Sequence, residues 1–282
     1  MENKVISWLF ETDAVRVCPQ DQPFWYTSGK LGPFYINTQF LFGSEQAANE
    51  LLALIEKAAG DHDTFAAVVG EAVDFQQENS PIFKGLIDIL CEKAKAMDVD
   101  FISGGERRDF FFSLPVARRL GLPHLSIFKD LSTVYNAPGE KSVKGEEAGL
   151  AGKKSLHIAD LVTEASSYVR AWIPAVEALG AKIACSLAVV DRDQGGRQIL
   201  ENAGIPLTTL IRIDTAFFEA AAKMGVLTAA QEEMCLHFMQ DPGAFMHAFL
   251  AAHPGFLAEQ IAMGGKNRQR AALCIEKGFD KI

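Results

Sequence analysis

Long apolar runs, paired cysteines and an excess of basic residues are all missing from this 282-residue sequence. No apolar stretch approaches the roughly 18 residues needed to cross a bilayer, and the first residues lack the pattern of a secretion signal. The formal net charge is -9, so the chain has no overall electrostatic attraction to nucleic acid or to an anionic membrane. We therefore expect a cytoplasmic protein without a nucleic-acid or membrane partner, in which a local pocket holds any bound phosphate.

Cysteine and histidine residues are few and scattered. The five cysteines lie far apart, in an odd number and without a CxxC pair, and the six histidines form no HExxH motif. Zinc-ligand spacing is therefore missing, and buried, reduced thiols are the expected state of the cysteines. We expect no metal site built from protein ligands.

What the sequence does contain is an alternation of short apolar segments with helical patterns. Such alternation predicts an α/β fold with a parallel sheet flanked by helices. The near-continuous apolar run at 182–191 is typical of a strand covered on both faces. Strands are predicted at 65–69, 100–103, 123–128, 155–160, 182–191 and 206–213, and helices at 81–97, 110–120, 168–179 and 196–203.

Three segments depart from this alternation. Residues 23–42 are rich in aromatic and turn residues, which predicts two short strands around a turn. Residues 130–152 are polar and contain glycine, which predicts a mobile loop. After Asp214 the pattern is purely helical. We therefore divide the chain into an α/β domain at 1–214, which includes the N-terminal strands, and a helical extension at 215–282.

Polar residues cluster where predicted strands end, and ligands of open α/β sheets bind at the carboxyl ends of the strands. In SLHIADLVTEASS at 155–167, an apolar strand ends at Asp160 and a turn rich in hydroxyl groups leads into a helix. A helix N-terminus suits phosphate, and a carboxylate can accept hydrogen bonds from sugar hydroxyls. Simple capping of the helix by Ser166 or Ser167 is the alternative interpretation.

Two further strand ends carry arginine. GGERRD at 104–109 places Arg107 and Arg108 side by side, where forked hydrogen bonds could hold a pyrophosphate. A solvated charged turn is the alternative for this segment. VDRDQGGR at 190–197 places Arg192 after the next strand, and a lone Asp-Arg pair there is a weak signal.

Taken in order, these segments resemble the type I phosphoribosyltransferases, and most closely the orotate phosphoribosyltransferases. Segment 155–167 is similar to the family's motif for 5-phosphoribosyl 1-diphosphate (PRPP), with Asp160 as its second acid and Thr163 as its loop threonine. The motif is degenerate, because Ala159 stands where the first acid is expected and Ala165 where glycine is usual. TSGKLGPFY at 27–35 resembles the N-terminal signature of the orotate enzymes. The resemblance covers roughly residues 21–214.

The resemblance implies a type I phosphoribosyltransferase fold with a small N-terminal hood over the base. It implies transfer of ribose 5-phosphate from PRPP to orotate, which gives orotidine 5'-phosphate and pyrophosphate in pyrimidine biosynthesis. It also implies substrate-bound magnesium and a homodimer. Lys129 and Arg108 would be catalytic. The residues implied to bind PRPP are Arg107, Asp160, Thr163, Glu164, Ala165, Ser166 and Ser167, and those implied to contact the base are Lys30, Phe34, Tyr35 and Arg192.

Two alternatives stay open. A protein of this fold could bind PRPP or a nucleotide without catalysis, and Ala159, Ala165 and the lack of a histidine at 130–152 favour that interpretation. The family's flexible loop usually supplies a lysine and a histidine, and here Lys141 and Lys144 are the candidates to replace them. The other alternative is a transferase for a different base.

Overall fold

The computed structural model of the chain describes residues 1–281. Its helices and strands follow one another in the order α1 (Glu2–Glu11), β1 (Val15–Val17), β2 (Phe24–Trp25), β3 (Leu31–Gly32), β4 (Phe34–Ile36), α2 (Glu45–Ala58), α3 (His62–Asn79), α4 (Pro81–Ala94), β5 (Phe101–Gly105), α5 (Phe110–Leu120), β6 (His124–Ile127), β7 (Thr133–Asn136), β8 (Val143–Lys144), β9 (Lys154–Val162), α6 (Ile173–Ala178), β10 (Lys182–Asp191), α7 (Gly196–Asn202), β11 (Leu207–Arg212), α8 (Thr215–Lys223), α9 (Ala229–Gln240), α10 (Pro242–Ala252), α11 (Phe256–Met263) and α12 (Gly265–Glu276). Short 3-10 turns lie at Thr38–Phe42 and Gly145–Glu147, and a π-helical turn at Tyr168–Trp172 precedes α6.

By their internal contacts these elements form two units. Unit 1 comprises Met1–Ala14 and Asn37–Ile213, and unit 2 comprises Val15–Ile36 and Asp214–Ile282. The division predicted from the sequence instead assigns residues 15–36 and Asp214 to the α/β domain.

Unit 1 contains a seven-stranded sheet in the order β11-β10-β9-β5-β6-β7-β8. The five strands from β11 to β6 are parallel, and β7 and β8 extend this sheet as an antiparallel hairpin. The unit is therefore α/β with a mostly parallel sheet flanked by helices, as predicted. The carboxyl ends of β5 and β9 lie side by side, because these strands are neighbours with Ser103 opposite His157.

Two predictions of local structure were wrong. Residues 65–69 lie inside helix α3, not in a strand. A short apolar run cannot be assigned to a helix or a strand by its hydrophobicity alone. Here the Asp61 carboxylate caps the helix by accepting from the Asp63 N–H, and the helical repeat buries Phe65, Val69 and Val73 on one side.

The second error concerns residues 130–152, which were predicted to be a loop. They contain the hairpin β7–β8, whose first strand pairs with β6 from Thr133 opposite Ile127 to Asn136 opposite His124. Thr133, Val134 and Tyr135 are residues of high strand propensity, and the pairing to an existing sheet edge gives their backbone groups partners.

Unit 2 combines the short strands β1–β4 with helices α8–α12. Its core joins Trp25 and Leu31 of the β2–β3 hairpin to the helices, through Met246, Phe249, Leu250, Ala271 and Cys274. The Trp25 indole N–H donates to Gln260 Oε1 at 3.0 Å, and Arg270 donates to the Trp25 carbonyl at 2.7 Å. These contacts explain why residues 15–36 group with the C-terminal helices. Among residues 1–281, no helix is both long and apolar enough to span a membrane.

Candidate functional site

A cavity of about 330 Å³ in unit 1 is lined by residues that follow β5 and β6, by the last residues of β9 and by the turn and helix start after β9. Its lining consists of residues 106–109, Lys129, residues 159–168 and Trp172. The three chain segments meet there because β9, β5 and β6 are adjacent parallel strands, so their carboxyl ends share one rim of the sheet.

Most of the residues singled out in the sequence line this one cavity. The two arginines after β5, the lysine after β6 and the whole turn after β9 are among them. These residues are Arg107, Arg108, Lys129, Asp160, Thr163, Glu164, Ala165, Ser166 and Ser167. The arginines therefore lie on the same rim as the turn, which is the arrangement that an anion site at this place requires.

The turn after β9 leads into the helix through a left-handed residue. Ala165 has φ 49°, a conformation that a glycine adopts without steric cost. Ser167 occupies the N-cap position, and its side chain makes no capping hydrogen bond. Ser166 Oγ instead accepts from the Arg170 guanidinium at 3.4 Å. Simple helix capping by Ser167 is thus not what the structure contains, and both hydroxyl residues are exposed at the cavity.

The acidic side of the cavity holds two neighbouring carboxylates. Asp160 Oδ2 accepts from the Thr38 hydroxyl at 2.6 Å, and the Asp160 backbone N–H donates to Asp109 Oδ1 at 3.0 Å. Burial and the negative charge of Asp109 raise the pKa of Asp160 to about 7, against the opposing effects of the Thr38 hydrogen bond and the charge of Arg108. The Asp160 carboxyl therefore keeps its proton to a higher pH than an ordinary aspartate does.

The basic side of the cavity is partly neutralised by carboxylates of the protein. Lys129 Nζ lies 3.2 Å from Glu106 Oε1, and the Lys129 backbone N–H donates to Glu106 Oε2 at 3.0 Å. Arg107 forms an ion pair with Glu56, and the Glu106–Arg107 peptide bond is cis. An incoming anion would compete with these two glutamates for the cations.

Three of the four predicted contacts to a base belong to unit 2 and are not among the residues that line this cavity. Lys30, Phe34 and Tyr35 belong to unit 2, and each side chain has partners there. The Lys30 ammonium lies 5.1 Å from the ring centre of Phe279, Phe34 packs against Phe218, and the Tyr35 hydroxyl donates to the Trp25 carbonyl.

Arg192 and the two loop lysines also lie outside the lining of this cavity. Arg192 follows β10, and its backbone N–H donates to the Val162 carbonyl at 2.9 Å, beside the end of β9. Lys141 lines a different, larger cavity of about 870 Å³ between α3, α5 and the β7–β8 hairpin. Lys144 is an exposed residue of β8.

Sequence reasoning missed three acceptors and donors of the site, namely Asp109, Thr38 and Glu106. Asp109 and Glu106 stand in the same GGERRD segment as the two arginines, so their position after β5 was available as a signal. Thr38 had none, since it is 122 residues away from its partner Asp160 in the chain.

No protein-family model matches the chain. The adenine phosphoribosyltransferase of Cupriavidus pinatubonensis is 29% identical over 147 residues, which are 49% of this chain and 77% of that protein. The orotate phosphoribosyltransferase of Sulfolobus acidocaldarius is 25% identical over 190 residues, which are 67% of this chain and 75% of the relative.

Two solved structures share the fold. The UMP synthase of Leishmania donovani superposes with a TM-score of 0.54 at 17% identity, over 84% of this chain and 42% of that one. The orotate phosphoribosyltransferase of Francisella tularensis superposes with a TM-score of 0.53 at 15% identity, over 83% of this chain and 96% of the other. At these identities the likeness shows the fold alone. The chain therefore has the fold of the type I phosphoribosyltransferases, and its sequence is similar to those of adenine and orotate phosphoribosyltransferases.

Proposed function

We propose that unit 1 is a phosphoribosyltransferase domain that binds PRPP in the 330 Å³ cavity and transfers its ribose 5-phosphate to orotate. The observation that carries the proposal is the convergence in one cavity of adjacent arginines, a lysine, a carboxylate and a hydroxyl-rich turn from three separate segments. These are the groups that a sugar with a phosphate at one end and a pyrophosphate at the other would need.

In this proposal the basic residues serve the leaving pyrophosphate. The bond between the anomeric carbon and pyrophosphate breaks through an oxocarbenium-like state, and a ring nitrogen of the base takes the anomeric carbon. Negative charge grows on the pyrophosphate as the bond breaks, so positioned cations stabilise the transition state more than the ground state. Arg107, Arg108 and Lys129 are the cations that line the cavity, and Arg108 and Lys129 are the proposed catalytic residues.

The turn and the acid serve the sugar phosphate. Thr163, Ser166 and Ser167 would donate hydroxyl hydrogen bonds to the 5'-phosphate at the start of the helix, where the helix dipole favours an anion. Asp160, when ionised, would accept hydrogen bonds from the ribose hydroxyls. Ala165 also lines this turn, and its side chain belongs to the buried apolar cluster that contains Trp172.

The magnesium that the proposal implies fits best as a cation held by the substrate. Both oxygens of Asp109 accept hydrogen bonds from backbone N–H groups, and one oxygen of Asp160 accepts from Thr38. In the described part of the chain, no group of three or more metal-binding side chains was found. Magnesium commonly keeps several waters and binds substrate phosphates, and bound in that way it would neutralise charge on the pyrophosphate.

Orotate is proposed as the base because the orotate relative aligns with 67% of this chain, whereas the adenine relative aligns with 49%. Lys30, Phe34, Tyr35 and Arg192 remain the proposed contacts to an acidic pyrimidine. A homodimer and a cytoplasmic location also stay predictions.

A second candidate function is binding of PRPP without catalysis. Two structural observations favour it. Glu106 binds both the backbone N–H and the ammonium group of Lys129, and Ala165 has a left-handed conformation in the turn after β9. The β7–β8 hairpin and its flanks, residues 130–152, also contain no histidine. Such a protein would report the PRPP level to another component.

One pair of measurements separates these functions. The full chain is titrated with PRPP and magnesium in a calorimeter, and pyrophosphate release is then followed with orotate or with adenine. We expect binding, and turnover with orotate only. Turnover with adenine only would reassign the base, and binding without turnover of either base would favour the second candidate. A protein that binds no PRPP would contradict both proposed functions. For any replacement of a cavity arginine, Arg119→Gln is the matched control, because Arg119 lies outside the cavity.

A further inference from the structure

Asp109 is a cavity residue to which the proposed function gives no role. It stands at the N-cap position of α5, where an aspartate usually accepts a hydrogen bond from the first turn of the helix. Here its side chain makes no such bond. The residue is 7% exposed and lines the cavity beside Asp160.

The Asp109 carboxylate instead bridges two strands. Its Oδ2 accepts from the Gly105 N–H at the end of β5, and its Oδ1 accepts from the Asp160 N–H in β9, both at 3.0 Å. The direct pairing of β5 with β9 ends at Ser103 and His157. Beyond that pair, the Asp109 carboxylate accepts hydrogen bonds where a backbone carbonyl would otherwise do so. It thereby links the loop after β5 that contains the two arginines (the arginine loop) to β9, the strand that carries Asp160.

A buried imidazole lies behind this carboxylate. His157 is fully buried, its Nε2 lies 3.4 Å from Asp109 Oδ2, and this nitrogen has no hydrogen-bond partner among the described residues. Its Nδ1 lies 3.0 Å from the Ser103 hydroxyl. The Trp172 indole is stacked along the ring and Tyr168 meets it edge-on. The ring therefore has little freedom to turn away from Asp109.

We infer that Asp109 is a positioning residue of this site, whose carboxylate fixes the arginine loop against β9 and stands as a like charge beside the Asp160 carboxyl. The inference rests on the proposed function for the identity of the ligand. Asp109 itself is not required to touch the substrate.

The charges around Asp160 decide the direction of the effect. Asp109 and Arg108 face it from the loop after β5, Tyr168 from the helix after the turn, and His157 lies on its own strand. Burial and the charge of Asp109 raise the pKa of Asp160 to about 7. Removing the charge of Asp109 must lower that pKa, since the nearest like charge is then gone.

The experiment uses the full chain with Asp109→Asn, and Asp88→Asn as control, because Asp88 is half exposed, pairs with Arg119 and lies outside the cavity. The Asp160 carboxyl is titrated by carbon-13 NMR without ligand, and PRPP affinity is measured by calorimetry over the same pH range. We expect the Asp160 midpoint to fall by about one pH unit or more in Asp109→Asn and to stay unchanged in the control.

The pH dependence of PRPP affinity should follow the titration midpoint of Asp160. The pH at which PRPP affinity is half-maximal should fall in Asp109→Asn, while its plateau at high pH drops about tenfold because asparagine can accept only one of the two backbone N–H groups. A residue that only supports the fold would lower affinity at every pH without moving the profile. If the Asn variant does not fold, Asp109→Ser also removes the charge and keeps an N-cap residue.

The two proposals can fail separately. An Asp160 midpoint that is the same in wild type and variant would overturn the inference, even if PRPP binds and reacts. A wild-type protein that binds no PRPP, together with a lowered Asp160 midpoint in the variant, would overturn the proposed function and leave the coupling of Asp109 to Asp160 in place.

Discussion

Replacement of Asp160 with asparagine should stabilise the folded protein above neutral pH while it weakens PRPP binding. Asp160 is buried beside Asp109, and this environment raises its pKa from the usual 3.8 to about 7. Asparagine has the same shape and can still accept the hydrogen bond of Thr38, yet it carries no charge. The variant therefore removes the cost of a buried negative charge and also the acceptor proposed for the ribose.

The sign and size follow from the two pKa values. The folded state binds the Asp160 proton more tightly than the unfolded state, so the stability that protonation contributes is fully present below about pH 4 and is lost as the pH rises to about 7. A pKa of Asp160 that is about three pH units higher in the folded than in the unfolded state corresponds to roughly 4 kcal/mol of unfolding free energy. This value is an upper limit, since water and local relaxation reduce the cost of a buried charge.

Urea unfolding of wild type and Asp160→Asn at a series of pH values measures this effect. The stability of the variant relative to wild type should grow by about 2 to 4 kcal/mol between pH 4 and pH 8. Carboxylates such as Asp100 and Asp241, whose pKa is lowered by backbone hydrogen bonds, act in the opposite direction but cancel in the difference. A difference that is constant with pH would refute the reasoning, because Asp160 would then titrate alike in the folded and unfolded states.

Three further replacements test the cavity. Arg108→Gln should weaken PRPP binding about tenfold to a hundredfold, because hydrogen bonds to charged groups contribute about 1.5–3 kcal/mol, and calorimetry beside Arg119→Gln checks this. Ala165→Gly should change the free energy of unfolding by under about 1 kcal/mol, because relief of the left-handed strain offsets the lost methyl burial; a larger loss in urea unfolding would contradict this. Gly105→Ala should cost about 1–3 kcal/mol in thermal unfolding, since a Cβ there overlaps the Trp172 indole, and wild-type stability would contradict it.

The parts of the fold that the sequence predicted are those with strong local signals. The run at 182–191 forms strand β10, and the helix predicted at 81–97 begins at Pro81 as α4, with Ser80 as its N-cap. The segment at 65–69 failed because FAAVV contains too few residues to distinguish the period of a helix from that of a strand. Its helix is defined by the capping residue before it and by the residues after it.

The residues of the candidate site likewise divide into those that could be grouped from the sequence and those that could not. Residues within one turn, such as Thr163 and Ser166, could be grouped from the sequence because they are adjacent in the chain. Arg108 and Asp160 could be grouped through the rule that parallel strand ends share one rim. The Thr38 hydrogen bond to Asp160 could not be foreseen, since it joins the two ends of a span of 122 residues. The grouping of Lys30 and Tyr35 with unit 2 likewise depends on tertiary packing and could not be predicted from the sequence.

The degenerate motif also has a physical explanation in the packing of β9. The side chain of Ala159 is buried in the apolar cluster that contains Trp172 and Ala188, where a charged carboxylate would carry a large desolvation cost. Asp109 provides a second carboxylate at the same rim from the loop after β5, held by two backbone N–H groups. Neighbouring parallel strands end at the same rim of the sheet, so a carboxylate next to Asp160 can come from either strand. An alanine at position 159 therefore does not by itself remove the pair of carboxylates from the cavity.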